Sequence, residues 1–226
     1  MKQASAKTNY FNGIRKLLMG GAISAPFFYA IVLVQVFTRT GFDIKRHAIS
    51  SLTLGDLGWI QRTDFIVTGL FAVLAAFGIR SLLRGGVGST WGSLLIGIYG
   101  FGMATAGIFR PDPGLGFPSG TPEGMPASMS DEAALHSAAF FMSFICLIAA
   151  CFIFARRFAE QGKRVWSVYC MASGIVPPLL IILGFSVISW IGVIMACSGI
   201  IAFGFVSVIA THLRAEAAFR LRESKI

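Results

Sequence analysis

The sequence predicts an all-α polytopic integral membrane protein, a bundle of about six transmembrane helices with both termini cytoplasmic. Three observations predict it. Hydrophobic residues make up 55% of the 226 and charged residues 13%, against about 25% charged in an ordinary soluble domain. Apolar runs of roughly 20 residues, the length that crosses about 30 Å of hydrocarbon, alternate with short charged loops. No run has the alternating strand pattern of a β-barrel, and lipid gives a free backbone amide no partner, which leaves helices.

Each span follows from its own stretch of chain, and residues 1–226 read as one transmembrane domain. The first span, residues 17–37, follows Lys2, Lys7, Arg15 and Lys16. Its apolar stretch is longer than a signal peptide's, and Pro26 with two phenylalanines follows its small-residue cluster, so it reads as a retained anchor. The second and third spans cover residues 59–83 and 90–109. The fourth covers 132–155, the fifth 165–185 and the sixth 189–211, with a tight antiparallel hairpin between the last two. Pro177-Pro178 falls inside the fifth span, where a missing amide donor predicts a kink. Small residues four apart, such as Gly102/Ala106 and Gly192/Ala196, permit close helix approach.

Loop charge sets the orientation, because Lys and Arg collect in cytoplasmic loops. With the N-terminus inside, the cytoplasmic segments carry the four basic residues before the first span, then Arg80 and Arg84, then Arg156, Arg157, Lys163 and Arg164, then Arg214, Arg220, Arg222 and Lys225. The other side keeps Arg39, Lys45, Arg46, Arg62 and Arg110, together with most of the acids. This is the pattern of a bacterial cytoplasmic (inner) membrane protein. It also accounts for the net charge of +9; no nucleic-acid-binding module is present. Membrane lipids are the expected partner, and the basic tail HLRAEAAFRLRESK is expected to rest on anionic headgroups.

The four cysteines lie inside apolar runs without CxxC spacing and read as small buried hydrophobes. His212, at the edge of the sixth span, reads as a helix-terminus cap. The extracytoplasmic side has the longer loops, residues 38–58 and 110–131, the second rich in Pro and Gly and therefore irregular. Four polar residues gather on that side: His47, Asp64, Asp112 and His136, with Ser50 and Ser51 nearby. Ionisable groups inside spans are costly and face the bundle interior or water. Two imidazoles and two carboxylates suit a general acid–base pair, a proton relay or a metal such as zinc. The structural alternative is that Asp64 pairs with a neighbouring base, Asp112 orders a turn, and Asp131 and Glu132 complement a helix N-terminus. No HExxH or GxSxG motif is present, so neither enzyme class nor cofactor is assigned.

The run GFDIKRHAISSLTLGDLGW resembles the bacterial membrane family called Domain of Unknown Function 998. Gly41, Asp43, His47, Ser50, Leu52, Gly55, Gly58 and Trp59 match its pattern, as do Phe109, Asp112 and Pro113, and Leu135-His136. Ile44 stands where the family usually has Pro. The resemblance spans about residues 15–210 and implies a multi-span membrane protein without implying an activity. Three readings follow: a membrane protein whose outer side binds a lipid or partner, a lipid-acting hydrolase or transferase using the His/Asp residues, and a small transporter.

Overall fold

A computed structural model describes residues 2–223. Six long helices dominate it: α1 (Lys2–Thr38), α2 (Gly58–Leu82), α3 (Trp91–Ile108), α4 (Asp131–Glu160), α5 (Arg164–Ser186) and α6 (Ile191–Glu223). All six are long and apolar enough to cross a membrane. A 3-10 turn over Ile49–Thr53 precedes α2, and another over Ile188–Trp190 precedes α6.

The helices form a closed ring in chain order. Each packs chiefly on its chain neighbours, and α6 returns to pack on α1. Backbone approach makes this possible where side chains would not fit. A Cβ on Gly69 would stand 2.4 Å from the Gly100 carbonyl oxygen, and one on Gly100 would stand 2.5 Å from that of Gly69. Glycines thus let α2 and α3 touch backbone to backbone. Where α1 meets α6, Ser207 Oγ donates to the Gly21 carbonyl at 2.9 Å and accepts from the Ala25 amide at 3.0 Å.

The ring centre is filled with aromatics. Phe28 lies edge-on to Phe65 at 5.2 Å and to Phe203 at 5.4 Å, with Tyr99 5.7 Å from Phe203. Leu33, Phe77, Phe101, Ile145 and Ile182 point outward and are exposed. So much apolar outer surface is a liability in water and the expected coat of a bundle solvated by lipid.

Most helix ends lie within two residues of the ends expected for the spans; three differ by more. Helix α1 begins fifteen residues before the expected residue 17, with Ile14 and Leu18 buried. Helix α4 continues five residues past the expected 155, through Arg156 and Arg157 to Glu160. Helix α6 continues twelve residues past the expected 211. The basic tail is therefore no separate surface segment: Leu213, Ala217 and Leu221 recur every fourth residue and are buried against the bundle. Ser224 and Lys225 of that tail, and the side chain of Lys2, lie outside the described residues. His212 is correspondingly mid-helix, its ring 4.1 Å from that of Trp166 and 5.3 Å from that of Phe158, and caps no terminus. Pro177 and Pro178 sit within an unbroken α5, where Ser198 Oγ donates to the Pro177 carbonyl at 3.0 Å.

Two faces result. The start of α1 and the end of α6 share one with the α2–α3 and α4–α5 turns, where Tyr10 Oη donates to the Ser81 carbonyl and Arg220 to that of Leu82. The long loops share the other.

Candidate functional site

Residues 39–57 form a compact cap on the loop face, with His47 at its centre. His47 is 3% exposed. Its Nδ1 accepts the Asp43 amide at 2.9 Å, so the proton sits on Nε2, which donates to the Leu115 carbonyl at 3.0 Å. The ring packs in a three-way cluster with Phe42 and Phe117, each 5.4 Å from it and 5.5 Å from one another. One side chain thereby ties the first loop to the α3–α4 loop. Arg46 adds an ion pair with Glu123 at 2.7 Å, and the Gly192 amide donates to the Lys45 carbonyl, fastening the cap to α6. The stretch from Asp43 to His47 is turn rather than helix, but the His47 amide still reaches the Asp43 carbonyl.

Asp64 lies in α2 and is 1% exposed. Its carboxylate accepts Gln61 Nε2 at 3.2 Å and Thr68 Oγ1 at 3.4 Å. Gln61 is the middle of a longer chain: its Oε1 accepts Gln35 Nε2 from α1 at 2.7 Å, and Gln35 Oε1 accepts Arg39 Nη1 at 3.5 Å. Arg39 in turn donates to the carbonyls of Leu52 at 3.2 Å and Leu54 at 2.6 Å. A continuous line of polar groups thus runs from the cap down between α1 and α2. Burial lowers the Arg39 pKa from its ordinary value, with Asp56 opposing. Sequence reasoning placed Asp64 in the interior but missed Gln35 and Gln61. Their signal was present: each is an isolated amide in an apolar run, and a buried amide needs partners.

Asp112 and His136 organise the α3–α4 connection. Asp112 accepts the Ser130 amide at 2.8 Å and its hydroxyl at 2.6 Å, while Ser130 caps α4 by accepting the Ala133 amide. These two hydrogen bonds, the hydroxyl's first, hold the Asp112 carboxyl below its ordinary pKa. Arg110 makes a forked pair with Glu132 at 2.9 and 3.1 Å, which raises the Arg110 pKa. His136 Nδ1 donates to the carbonyls of Ala106 at 2.9 Å and Phe109 at 2.9 Å, satisfying the open end of α3.

All four expected residues therefore belong to the loop-side half of the bundle, but each has its own partners. None of the hydrogen bonds or ion pairs described joins one of the four to another. Among the described residues, no group of three or more His, Cys, Asp or Glu is placed to hold a metal ion. The zinc-holding arrangement is thus not built: both His47 nitrogens and Nδ1 of His136 are already taken by backbone groups.

Beside them lies a cleft that no motif announced. It is walled by Phe28 and Tyr29 of α1, Ala48–Ser50 of the cap, Phe65 of α2, Phe140 and Phe144 of α4, Ile181 of α5, and Met195, Ala196, Ser198, Gly199 and Phe203 of α6. Its cavity volume is about 60 Å³. Phe140, Ile181 and Met195 are only half-buried, so the cleft reaches the outer surface of the bundle. The Tyr29 hydroxyl oxygen is buried in this wall without a hydrogen-bond partner.

A ring of six apolar helices with an ordered polar cap defines a multi-pass helical membrane protein. No curated protein and no solved structure matches the chain. A family model does match, over residues 22–220, and the chain belongs to that family, described as Protein of unknown function (DUF998).

Proposed function

We propose that the protein binds an amphipathic membrane lipid, with an acyl or isoprenoid chain in the cleft and the headgroup toward Ser50 and the cap. The observation that carries this reading is the Tyr29 hydroxyl, buried and unpaired in a mostly apolar wall. A buried hydroxyl without a partner costs about 1–3 kcal/mol, and a polar atom on an inserted ligand would remove that cost. The residues around it are the aromatic and aliphatic types that line lipid and small-molecule sites. The loop face is extracytoplasmic in this reading, the chain ends are cytoplasmic, and the membrane is the bacterial inner membrane. The basic excess of the terminal face supports that orientation.

Binding accounts for these observations better than chemistry or transport does. The His47 and Asp112 side chains are occupied in holding loops, which fits a scaffold for a binding cap. The Asp64 chain ends at Thr68, beside the aromatic plug of Phe28, Phe65, Tyr99 and Phe203, which fits a closed centre rather than a path.

The test is native mass spectrometry of protein extracted from its own membrane, comparing wild type with Ala196→Phe. Ala196 lines the cleft, and a phenyl group there fills it. Wild type is expected to carry one bound lipid more than A196F while both remain folded. An equal number of lipids on A196F and wild type, or a wild type with none, refutes the reading.

A further inference from the structure

The terminal face holds a second concavity, on the side of the bundle away from the cleft. It lies where the first turns of α1 run beside the extended end of α6, and it is lined by Asn9, Asn12, Gly13, Arg15, Lys16, Met19 and Arg214. Its volume is about 470 Å³. Three cations face one space there. The Nε atoms of both Arg15 and Arg214 are buried and have no hydrogen-bond partner. The ion pairs formed among the described residues are Arg46–Glu123, Arg110–Glu132, Arg156–Glu160 and Arg220–Glu216, so none of the three cations here has a carboxylate. Two guanidinium groups and an ammonium brought together without a counter-charge repel one another, and a buried Nε–H left unpaired adds its own cost.

The position matters as much as the charge. Arg15 and Lys16 come immediately before the long apolar run of α1, and Met19 and Ile23, one and two turns further in, are exposed on its outer side. The pocket therefore sits at the edge of the hydrocarbon, at headgroup depth. A planar guanidinium fork matches two oxygens of a phosphate, and two such forks match one phosphate from two sides. Asn9 and Asn12 add amides of the kind that hydrogen-bond glycerol or ester oxygens, and Met19 offers apolar surface to the start of an acyl chain.

We propose that this pocket binds the phosphate of an anionic phospholipid from the leaflet on the terminal face. The ligand is a phosphodiester with acyl chains, held by Arg15, Lys16 and Arg214. It seats at the α1–α6 seam, so its occupancy also braces the contact that closes the ring. A free phosphate presents the same oxygens without the chains, and the experiment separates the two.

Full-length protein is exchanged into mixed micelles with equal phosphatidylglycerol and phosphatidylcholine, and retained lipid is read by native mass spectrometry. Wild type is expected to retain phosphatidylglycerol about tenfold over phosphatidylcholine, and Arg15→Gln/Arg214→Gln to abolish that preference. Arg15→Lys/Arg214→Lys keeps the charge but loses the fork, and is expected to keep part of the preference. Lys163→Gln/Arg164→Gln removes the same charge from the same face outside the pocket, and is expected to behave as wild type. Equal retention of both lipids by wild type overturns the proposal, as does a K163Q/R164Q loss equal to that of R15Q/R214Q. Retention abolished by millimolar inorganic phosphate, with phosphate bound in its place, overturns the lipid assignment in favour of a free anion. None of these results depends on the cleft, because Ala196→Phe is expected to leave this preference intact.

Discussion

Replacing Gln61 by leucine tests whether the polar line between α1 and α2 holds the two helices together. The substitution puts in an apolar side chain of similar volume and removes two hydrogen bonds, from Gln35 Nε2 at 2.7 Å and to Asp64 Oδ2 at 3.2 Å. The first joins two helices, and such bonds inside a membrane contribute about 0.6 kcal/mol on average and about 1.7 at most. The second loss leaves a buried carboxyl group with Thr68 alone, at 3.4 Å. An abandoned buried polar group costs about 1–3 kcal/mol. Together these give a destabilisation of about 2–4 kcal/mol for Q61L. The same reasoning fixes a sign for the double variant. Gln61→Leu/Asp64→Leu removes both the donor and the group it left stranded, so it is expected to be more stable than Q61L. The assay is reversible unfolding by SDS in mixed micelles, followed by circular dichroism, for wild type, both single variants and the double. A coupling of at least about 1 kcal/mol between the two sites is expected. A Q61L protein within about 0.5 kcal/mol of wild type refutes the reasoning, as does strict additivity.

Three other outcomes follow from the geometry. Tyr29→Phe removes a buried hydroxyl that lacks a protein partner. Delipidated Y29F is expected to melt about 2–4 °C above wild type, and the lipid-bound form to lose part of the stabilisation that lipid gives. Asp112 has its pKa held below the ordinary value when folded, so its contribution is present above the unfolded pKa of about 3.9 and fades as pH falls through the folded value. Hydrogen exchange in residues 110–130 is expected to quicken over that acid range in wild type and to lose this dependence in Asp112→Ala, which is already fast at neutral pH. A Cβ on Gly192 would stand 2.3 Å from the Ile44 carbonyl oxygen and 2.4 Å from that of His47. Gly192→Ala is therefore expected to push the cap off α6, costing about 2 kcal/mol and exposing residues 39–57 to protease.

The spans were legible because hydrocarbon thickness imposes one length on each of them, and loop composition separated them. The ends of α1 and α6 were less so. A run of basic residues reads as a headgroup-facing tail, but the spacing of Leu213, Ala217 and Leu221 already marked a continuing buried stripe. The polar residues show where pattern stops being enough. Topology placed His47 and His136 in the loop-side half, but their partners are backbone carbonyls of Leu115, Ala106 and Phe109, chosen by how loops and helix ends settle. Nothing in side-chain type encodes that choice. Gln35 and Gln61 meet across 26 positions of sequence, and that meeting fixes the line to Asp64. The cleft has no motif at all, since its walls are the same Phe, Ile and Met that coat the rest of the bundle.

The seam at Ser207 sets an order of events during biogenesis. That hydroxyl engages Gly21 and Ala25, partners made 186 and 182 residues earlier. Until the last helix enters the bilayer, the matching edge of the first has nothing to meet but lipid or the insertion machinery. The bundle therefore stays an open fence through most of translation and becomes a closed ring only at its final post. A nascent chain stalled before α6 would present that unmatched edge to quality control.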